Sequence, residues 1–288
     1  FMTASGAPNV HAIEVDGDFD DCQRLVKAMF ADGAFAQAAG LSGVNSINWA
    51  RIVAQSVYFH IASAALSSAG PVDFVVPTGN FGDAFSGFVA KKTGARVGKI
   101  VLATNSNDIL ARALNTGRYE RAPRSQATLS PAMDIQVASN FERILFEVMQ
   151  RDGGAVNHLY QSFGQSGGFD IPREALERLR ENFSAATATD ADTVETMRSH
   201  YGGGDGYMMC PHTAVGVHVG AATEAARVFL ATAHPAKFPE TVEQATGVRP
   251  QLPSRCADLF DRPEKFDSLP ADAEAVKQFI RERSRAWS

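Results

Sequence analysis

The chain has 288 residues, 45% of them hydrophobic, which is enough to bury a substantial core as one large domain or two small ones. Its 27 basic and 32 acidic side chains give a net charge of −5, and the bases are scattered with no aromatic-and-basic stripe, which argues against nucleic acid as a partner. Cys22, Cys210 and Cys256 have no metal-like spacing and read as free thiols, and the longest apolar stretch, residues 52–66, is interrupted by Gln55 and His60 and is too short to cross a bilayer, so a cytoplasmic protein is expected.

Residues 9–15 read as a strand. Asp18 offers an N-cap, and Phe19, Cys22, Leu25, Val26, Met29 and Phe30 recur at helical spacing. Residues 45–67 read as a long helix, ended by Gly70-Pro71. Residues 72–76, short and β-branched, have the character of a buried parallel strand. A Gly-containing loop follows, then a helix over 83–93, a strand over 99–103 and a helix over 108–114 stopped by Asn115-Thr116-Gly117. That succession is a βαβ unit in a parallel sheet covered on both faces. Residues 119–134 read as an irregular connection. Helices are expected over 139–151, 172–183 and 192–201, and Gly202-Gly203-Gly204 as flexible punctuation. Residues 213–229 read as helical apart from Gly216 and Gly220, with a strand over 228–231 and late helices over 239–246 and 272–286.

Four clusters could carry chemistry. The loop Pro77-Thr78-Gly79-Asn80-Phe81-Gly82-Asp83 lies between a buried strand and a helix start, where free N–H groups and the helix dipole attract a phosphate. Gly79 and Gly82 let backbone come close to such a group. The pattern is neither a P-loop nor GxGxxG, and spacing alone weighs it evenly against an ordinary βα turn. Thr232, in Ala231-Thr232-Ala233-His234-Pro235, follows an apolar strand where ligands of α/β sheets bind, although on the residues alone a hydroxyl capping or turning the chain before Pro235 explains it better. Asn45, Ser46 and Asn48 gather polar groups at a helix start, with good N-cap chemistry as the plain alternative. His212, beside Thr213, could serve as an acid or base but reads as structural.

Together these blocks resemble threonine synthase. Asn45-Ser46-Ile47-Asn48-Trp49-Ala50-Arg51, the loop at 77–82, and Ala103-Thr104-Asn105-Ser106-Asn107 occur in the family's order. So do Leu129-Ser130-Pro131-Ala132-Met133-Asp134, Pro211-His212-Thr213-Ala214 and Thr232-Ala233-His234-Pro235-Ala236-Lys237-Phe238. The similarity runs from about Val10 to Phe238. It implies a pyridoxal 5′-phosphate (PLP) enzyme of fold type II, an α/β protein like the tryptophan synthase β chain, with a parallel sheet flanked by helices. The implied reaction converts O-phospho-L-homoserine and water to L-threonine and phosphate. By the resemblance, Gly79, Asn80, Phe81, Gly82 and Asp83 hold the cofactor phosphate and Thr232 faces the pyridine nitrogen. The family usually has Asn where Asp83 stands. A carboxylate there disfavours a phosphate unless it turns away. Asn45, Ser46 and Asn48 are the substrate candidates, and no metal is expected.

The family's Ser-Phe-Lys-Asp block with the Schiff-base lysine, and its Ser-Gly-Asp-Thr-Gly block, do not occur in this sequence. No catalytic residue is therefore assigned within the chain. With the non-methionine start Phe1-Met2, this gives the expectation of a C-terminal portion whose N-terminal part supplies that lysine. The implied layout places the greater part of the PLP-binding domain in residues 1–238, with insertions near 119–205, and a C-terminal helical extension in 239–288. A catalytically inactive relative that binds PLP or phosphate, and another fold type II lyase, are the competing readings.

Overall fold

The computed structural model describes residues 2–17, 19–44, 48–66, 70–203, 206–221 and 227–284. In chain order it runs β1 (Ile13–Asp16), α1 (Phe19–Ala31), α2 (Gly33–Ala39), α3 (Trp49–Ala65), β2 (Val72–Pro77), α4 (Gly82–Lys92), β3 (Val97–Thr104) and α5 (Ile109–Thr116). β4 (Arg118–Glu120), α6 (Phe141–Val148), α7 (Gly153–Ser166), β5 (Gly168–Asp170), α8 (Arg173–Asn182), β6 (Phe183–Thr187) and α9 (Asp190–Gly203) follow. The chain ends with α10 (Pro211–Gly220), β7 (Arg227–Phe229), α11 (Pro239–Thr246), β8 (Asp267–Pro270) and α12 (Ala273–Arg283).

These elements form two units, Val44–Gln251 and the discontinuous pair Phe1–Gly43 with Leu252–Ser288. This grouping differs from a division at residue 238: α11 goes with the larger unit, and the first 43 residues go with the last 37.

The larger unit is built on a parallel sheet in the order β6-β3-β2-β7. Alternation along its central strands explains why both faces are covered. Phe74, Val76, Ile100 and Leu102 enter one apolar cluster with residues of α3, α4, α5 and α8. Val75, Val101 and Ala103 face the other way, against Val215 of α10. Two glycines allow the helices to approach this closely. A Cβ at Gly87 would lie 2.7 Å from the Phe59 ring, and one at Gly216 would lie 2.8 Å from Pro77 Cγ. Beside the sheet, β4 and β5 pair antiparallel. Tyr119 of β4 is fully buried and stacks 4.9 Å from Phe141 and 5.1 Å from Phe169. Its hydroxyl accepts from Ala138 N at 2.9 Å, and burial pushes its phenol up to about 12.

In the smaller unit β1 pairs parallel with β8. Leu25, Met29 and Phe35 pack with Val276 in a core of their own. Lys277 is 7% exposed, and its Nζ donates to Asp32 at 2.7 Å and to Glu274 at 2.8 Å.

Several expectations change. The helix expected over 139–151 stops at Val148, because Gln150 and Arg151 take φ of 59° and 65°. α7 then starts, capped by the Asp152 side chain accepting from Ala155 N. The expected helix over 213–229 ends at Gly220, and Arg227–Phe229 is the strand β7. Gly202 and Gly203 close α9 rather than punctuating the chain, while Gly204 lies outside the described residues, as does the expected cap Asp18.

Candidate functional site

β2 is buried, and its last residues deliver the loop to the end of the sheet. Thr78 is 2% exposed, and its N–H donates to Ala103 O of the neighbouring strand at 3.0 Å. The turn into α4 is made by Phe81, whose φ is 64°. A left-handed residue of this kind costs roughly 1–2 kcal/mol. Burying its ring, which is 0% exposed between Phe141 at 5.6 Å and Phe183 at 5.4 Å, returns about 2–3 kcal/mol. The strained turn is thus held by the core. Phe81 makes no side-chain cap, and the N–H groups of Gly79, Asn80, Phe81 and Gly82 have no acceptor among the described residues. Four amides without partners thus lie at a helix N-terminus, where free donors and the helix dipole favour negative charge.

This candidate anion cradle is braced from behind. Asn80 O accepts from Asn140 N at 3.0 Å and from Asn140 Nδ2 at 3.1 Å. A Cβ at Gly79 would lie 3.2 Å from Met133 Cα and 3.4 Å from Ala132 O, so this glycine allows the loop to rest on the 130–135 segment. That segment is fixed by the Asp134 carboxylate, which accepts from Asn105 Nδ2 (2.7 Å), Asn107 Nδ2 (2.9 Å), Thr128 Oγ1 (2.7 Å) and Thr128 N (2.8 Å). His212, 4% exposed, accepts at Nε2 from Ala132 N at 3.1 Å and packs 4.7 Å from Phe238. Burial first, then Lys237, pushes its imidazole down to about 4. With Nε2 accepting, the neutral ring carries its proton on Nδ1, a buried atom with no partner among the described residues.

Asp83 opens the first turn of α4. Its Oδ1 accepts from Thr78 Oγ1 at 2.6 Å and from Ala84 N at 2.8 Å. Burial nevertheless raises its pKa above the usual carboxylate value, against the lowering effect of those two bonds. Asp83 lines a cavity of about 580 Å³ with Arg51, Gln55 and Tyr58 of α3, and with Leu230 and Thr232 after β7. Burial and then the Asp83 charge push the Tyr58 phenol up to about 12. Thr232 is exposed, and its N–H donates to Thr213 Oγ1 at 3.3 Å. Thr213 is itself 3.2 Å from Cys210 Sγ. The structure therefore brings two of the expected residues, Asp83 and Thr232, onto one cavity.

Asn48 serves as the N-cap of α3, accepting from Ala50 N at 2.9 Å. Asn45 and Ser46 lie outside the described residues. Sequence reasoning passed over Arg51, Gln55 and Tyr58. Their signal was a polar stripe at i, i+4 and i+7 on a helix already expected. Among the described residues no lysine lines the cavity. Lys91 Nζ donates to Gly98 O at 3.0 Å, Lys99 to Arg180 O, and Lys237 lies 5.7 Å over the Phe238 ring.

A family model described as threonine synthase, C-terminal, matches residues 213–280. Threonine synthase of Pseudomonas aeruginosa is 44% identical over 97% of this chain, and that of Saccharomyces cerevisiae is 37% identical over 98%. The crystal structure of PLP-bound threonine synthase from Brucella melitensis superposes with a TM-score of 0.93 at 50% identity, over 99% of this chain and 62% of that one. Over nearly its whole length the chain is similar to threonine synthases. It spans about 60% of the length of the threonine synthases it matches. The solved threonine synthases share its α/β fold with a parallel sheet between helices; that of yeast has a TM-score of 0.87 at 36% identity. Among the described residues, no group of side chains could hold a metal ion, and no helix is long and apolar enough to cross a membrane.

Proposed function

We propose that this chain is the greater part of a threonine synthase, a PLP-dependent enzyme that converts O-phospho-L-homoserine and water to L-threonine and phosphate. The observation that carries the proposal is the cradle at the start of α4: four unpartnered amides, held by the buried left-handed Phe81, next to a cavity shared by Asp83 and Thr232. The donors suit a phosphate, and the loop residues Gly79, Asn80, Phe81 and Gly82 are the ones that would hold the phosphate of PLP. When bound, PLP supplies the electron sink that stabilises negative charge on carbon beside the amino group.

The chain's own residues set the conditions for that chemistry. Thr232 presents a hydroxyl, which can meet a pyridine nitrogen without fixing a proton on it as a carboxylate would. Arg51 places a permanent cation on the cavity wall, suited to the substrate's phosphate or carboxylate. Asn48 caps the helix that carries Arg51, and Asn45, Ser46 and Asn48 remain candidates for the substrate. Asp83 keeps its carboxylate on Thr78 and Ala84, and burial raises its pKa above the usual carboxylate value. The lysine that carries the cofactor is to come from polypeptide outside the 288 residues, since none of the described lysines reaches the cavity.

The test is made on the complete protein. Threonine and phosphate released in equal amounts from O-phospho-L-homoserine support the reading. PLP binding without turnover would point to an inactive relative, and release of ketobutyrate alone to another lyase. Within that protein, Thr232→Ala is expected to retain PLP while shifting its absorbance spectrum. An unchanged spectrum and rate would remove Thr232 from the site.

A further inference from the structure

The ladder between β7 and β2 continues for one residue past the strand, with Leu230 N donating to Val75 O at 3.0 Å. The chain is next fixed at the turn Pro235–Lys237, where His234 Nδ1 accepts from Ala236 N at 3.2 Å. Between these points stand Ala231, Thr232 and Ala233. Among the described residues, these three make one hydrogen bond, from Thr232 N to Thr213 Oγ1 at 3.3 Å. Packing gives them little further support, because there is open space on both sides. Phe229 and Ala231 line the candidate cavity together with Thr232, and the same two residues line a second cavity, of about 420 Å³, with Met209, Thr213 and Val217. Ala231 and Thr232 are themselves exposed. The segment is a thin wall between two cavities, and one bond ties its middle to the rest of the unit.

The partner in that bond is firmly held. Thr213 is 4% exposed and lies in the first turn of α10. Its branched Cβ restricts the side chain's rotation. Its Oγ1 lies 3.2 Å from Cys210 Sγ, and that sulfur caps the helix by accepting from Thr213 N at 3.4 Å. A hydroxyl oxygen has two lone pairs, so it can accept the Thr232 N–H whichever of oxygen and sulfur donates the proton between them. The helix behind it is fixed in turn, since Val215 packs in the cluster beneath the sheet and Gly216 lets α10 rest on Pro77. We propose that Thr213 is a positioning residue: its hydroxyl, anchored on Cys210, holds the Thr232 backbone and so sets where the Thr232 hydroxyl stands in the cavity. The inference rests on the reading of Thr232 as the residue that faces the cofactor's pyridine ring. It makes the start of α10 a double brace, because the preceding residue, His212, accepts from Ala132 N behind the phosphate loop.

The experiment uses the complete protein carrying Thr213→Val, which keeps the branched shape and removes the hydroxyl, or Thr213→Ser, which keeps the hydroxyl. Thr213→Ala is a second hydroxyl-free variant, and the two must agree. Amide hydrogen exchange resolved to single residues is read without PLP, and the absorbance of bound PLP is read separately. In the hydroxyl-free variants the Thr232 amide is expected to exchange about three to ten times faster, the loss of one hydrogen bond, while amides of β2 and β3 keep their rates. The absorbance band is expected to shift in the same direction as in Thr232→Ala, and Thr213→Ser to restore both parental values. An unchanged Thr232 exchange rate, or no recovery in Thr213→Ser, would overturn the proposal. So would equal acceleration in β2 and β3, which is the mark of a general loss of stability. The two readings fail separately. A spectrum shifted by Thr232→Ala but not by Thr213→Val would overturn this inference alone. A spectrum left unchanged by Thr232→Ala would overturn the reading of Thr232, and the exchange rates would then decide by themselves whether Thr213 holds the segment.

Discussion

At Asp83 a single side chain sets two opposed demands. Its carboxylate completes the first turn of α4 through Thr78 and Ala84, yet burial raises its pKa. A raised folded pKa means that the folded state holds its proton more tightly, so the charged form at neutral pH costs stability, and that cost grows as pH rises from the unfolded value through the folded one. Asp83→Asn keeps an oxygen for both hydrogen bonds and removes the charge. The thermal midpoint at pH 7 is expected to rise. Affinity for inorganic phosphate is expected to rise several-fold, consistent with about 1 kcal/mol between unit charges about 4 Å apart in water; scanning calorimetry reads the midpoint and calorimetric titration the affinity, and weaker phosphate binding would contradict the cradle. His212 gives the opposite sign. Its imidazole is held near 4 against 6.5 for the free group, so between these values the unfolded chain takes up a proton that the folded chain refuses. Stability should fall as pH drops through that window, by ~3 kcal/mol if the whole shift is realised. His212→Gln keeps an acceptor for Ala132 N, and urea titrations should show a flatter dependence from pH 6.5 to 4; an unchanged slope would assign it to carboxylates. The loop at 77–83 was legible as a strand-to-helix turn because glycines between a strand and a helix leave a pattern along the chain. Arg51 was not, because its partners Asp83 and Thr232 are distant in sequence and meet only through the fold.

Among the elements, the packing of α3 and α4 hinges on Gly87, where a Cβ would meet the Phe59 ring at 2.7 Å and Ile100 Cδ1 at 3.1 Å. Gly87→Leu drives a branched side chain into that contact, and overpacking of this kind costs about 1–3 kcal/mol. Chemical denaturation should show the loss. Because α4 also carries the cradle, phosphate affinity should fall with it, and a variant as stable as the parent would mean that the helices can part freely. The same contrast between local and distant information governs which elements the sequence disclosed. β2, α4, β3 and α5 were readable from apolar runs and glycine stops, and α11 was found with its observed bounds. α7 was missed because Gly153-Gly154 at its start looked like a break, although Val156, Leu159, Tyr160 and Phe163 carry helical spacing. The helix expected from residue 213 ends at Gly220 rather than 229, and the strand expected over 228–231 is found as β7 at Arg227–Phe229, where pairing with β2, a partner about 150 positions earlier in the chain, fixes its bounds.

At the scale of the whole molecule, each of the two units has apolar packing of its own, and the cradle and cavity belong to the larger one. The smaller unit joins residues from both ends of the chain, and β1–β8 pairing and the cluster around Leu25 are what close it. Bringing ends more than 200 residues apart carries a closure entropy, but one that grows only logarithmically with length, so a modest core suffices. Leu25 is 2% exposed. Leu25→Ala removes buried methyl groups and leaves a cavity, at about 2–5 kcal/mol. If the two cores are separate cooperative units, that loss should be local. Amide hydrogen exchange in α1 and α12 should accelerate by the full destabilisation, while amides of β2 and β3 should keep their protection and phosphate should bind the loop as before. Acceleration of equal size in β2 and β3 would show instead that the protein unfolds as one cooperative block, and the site's stability would then depend on residues of the other unit.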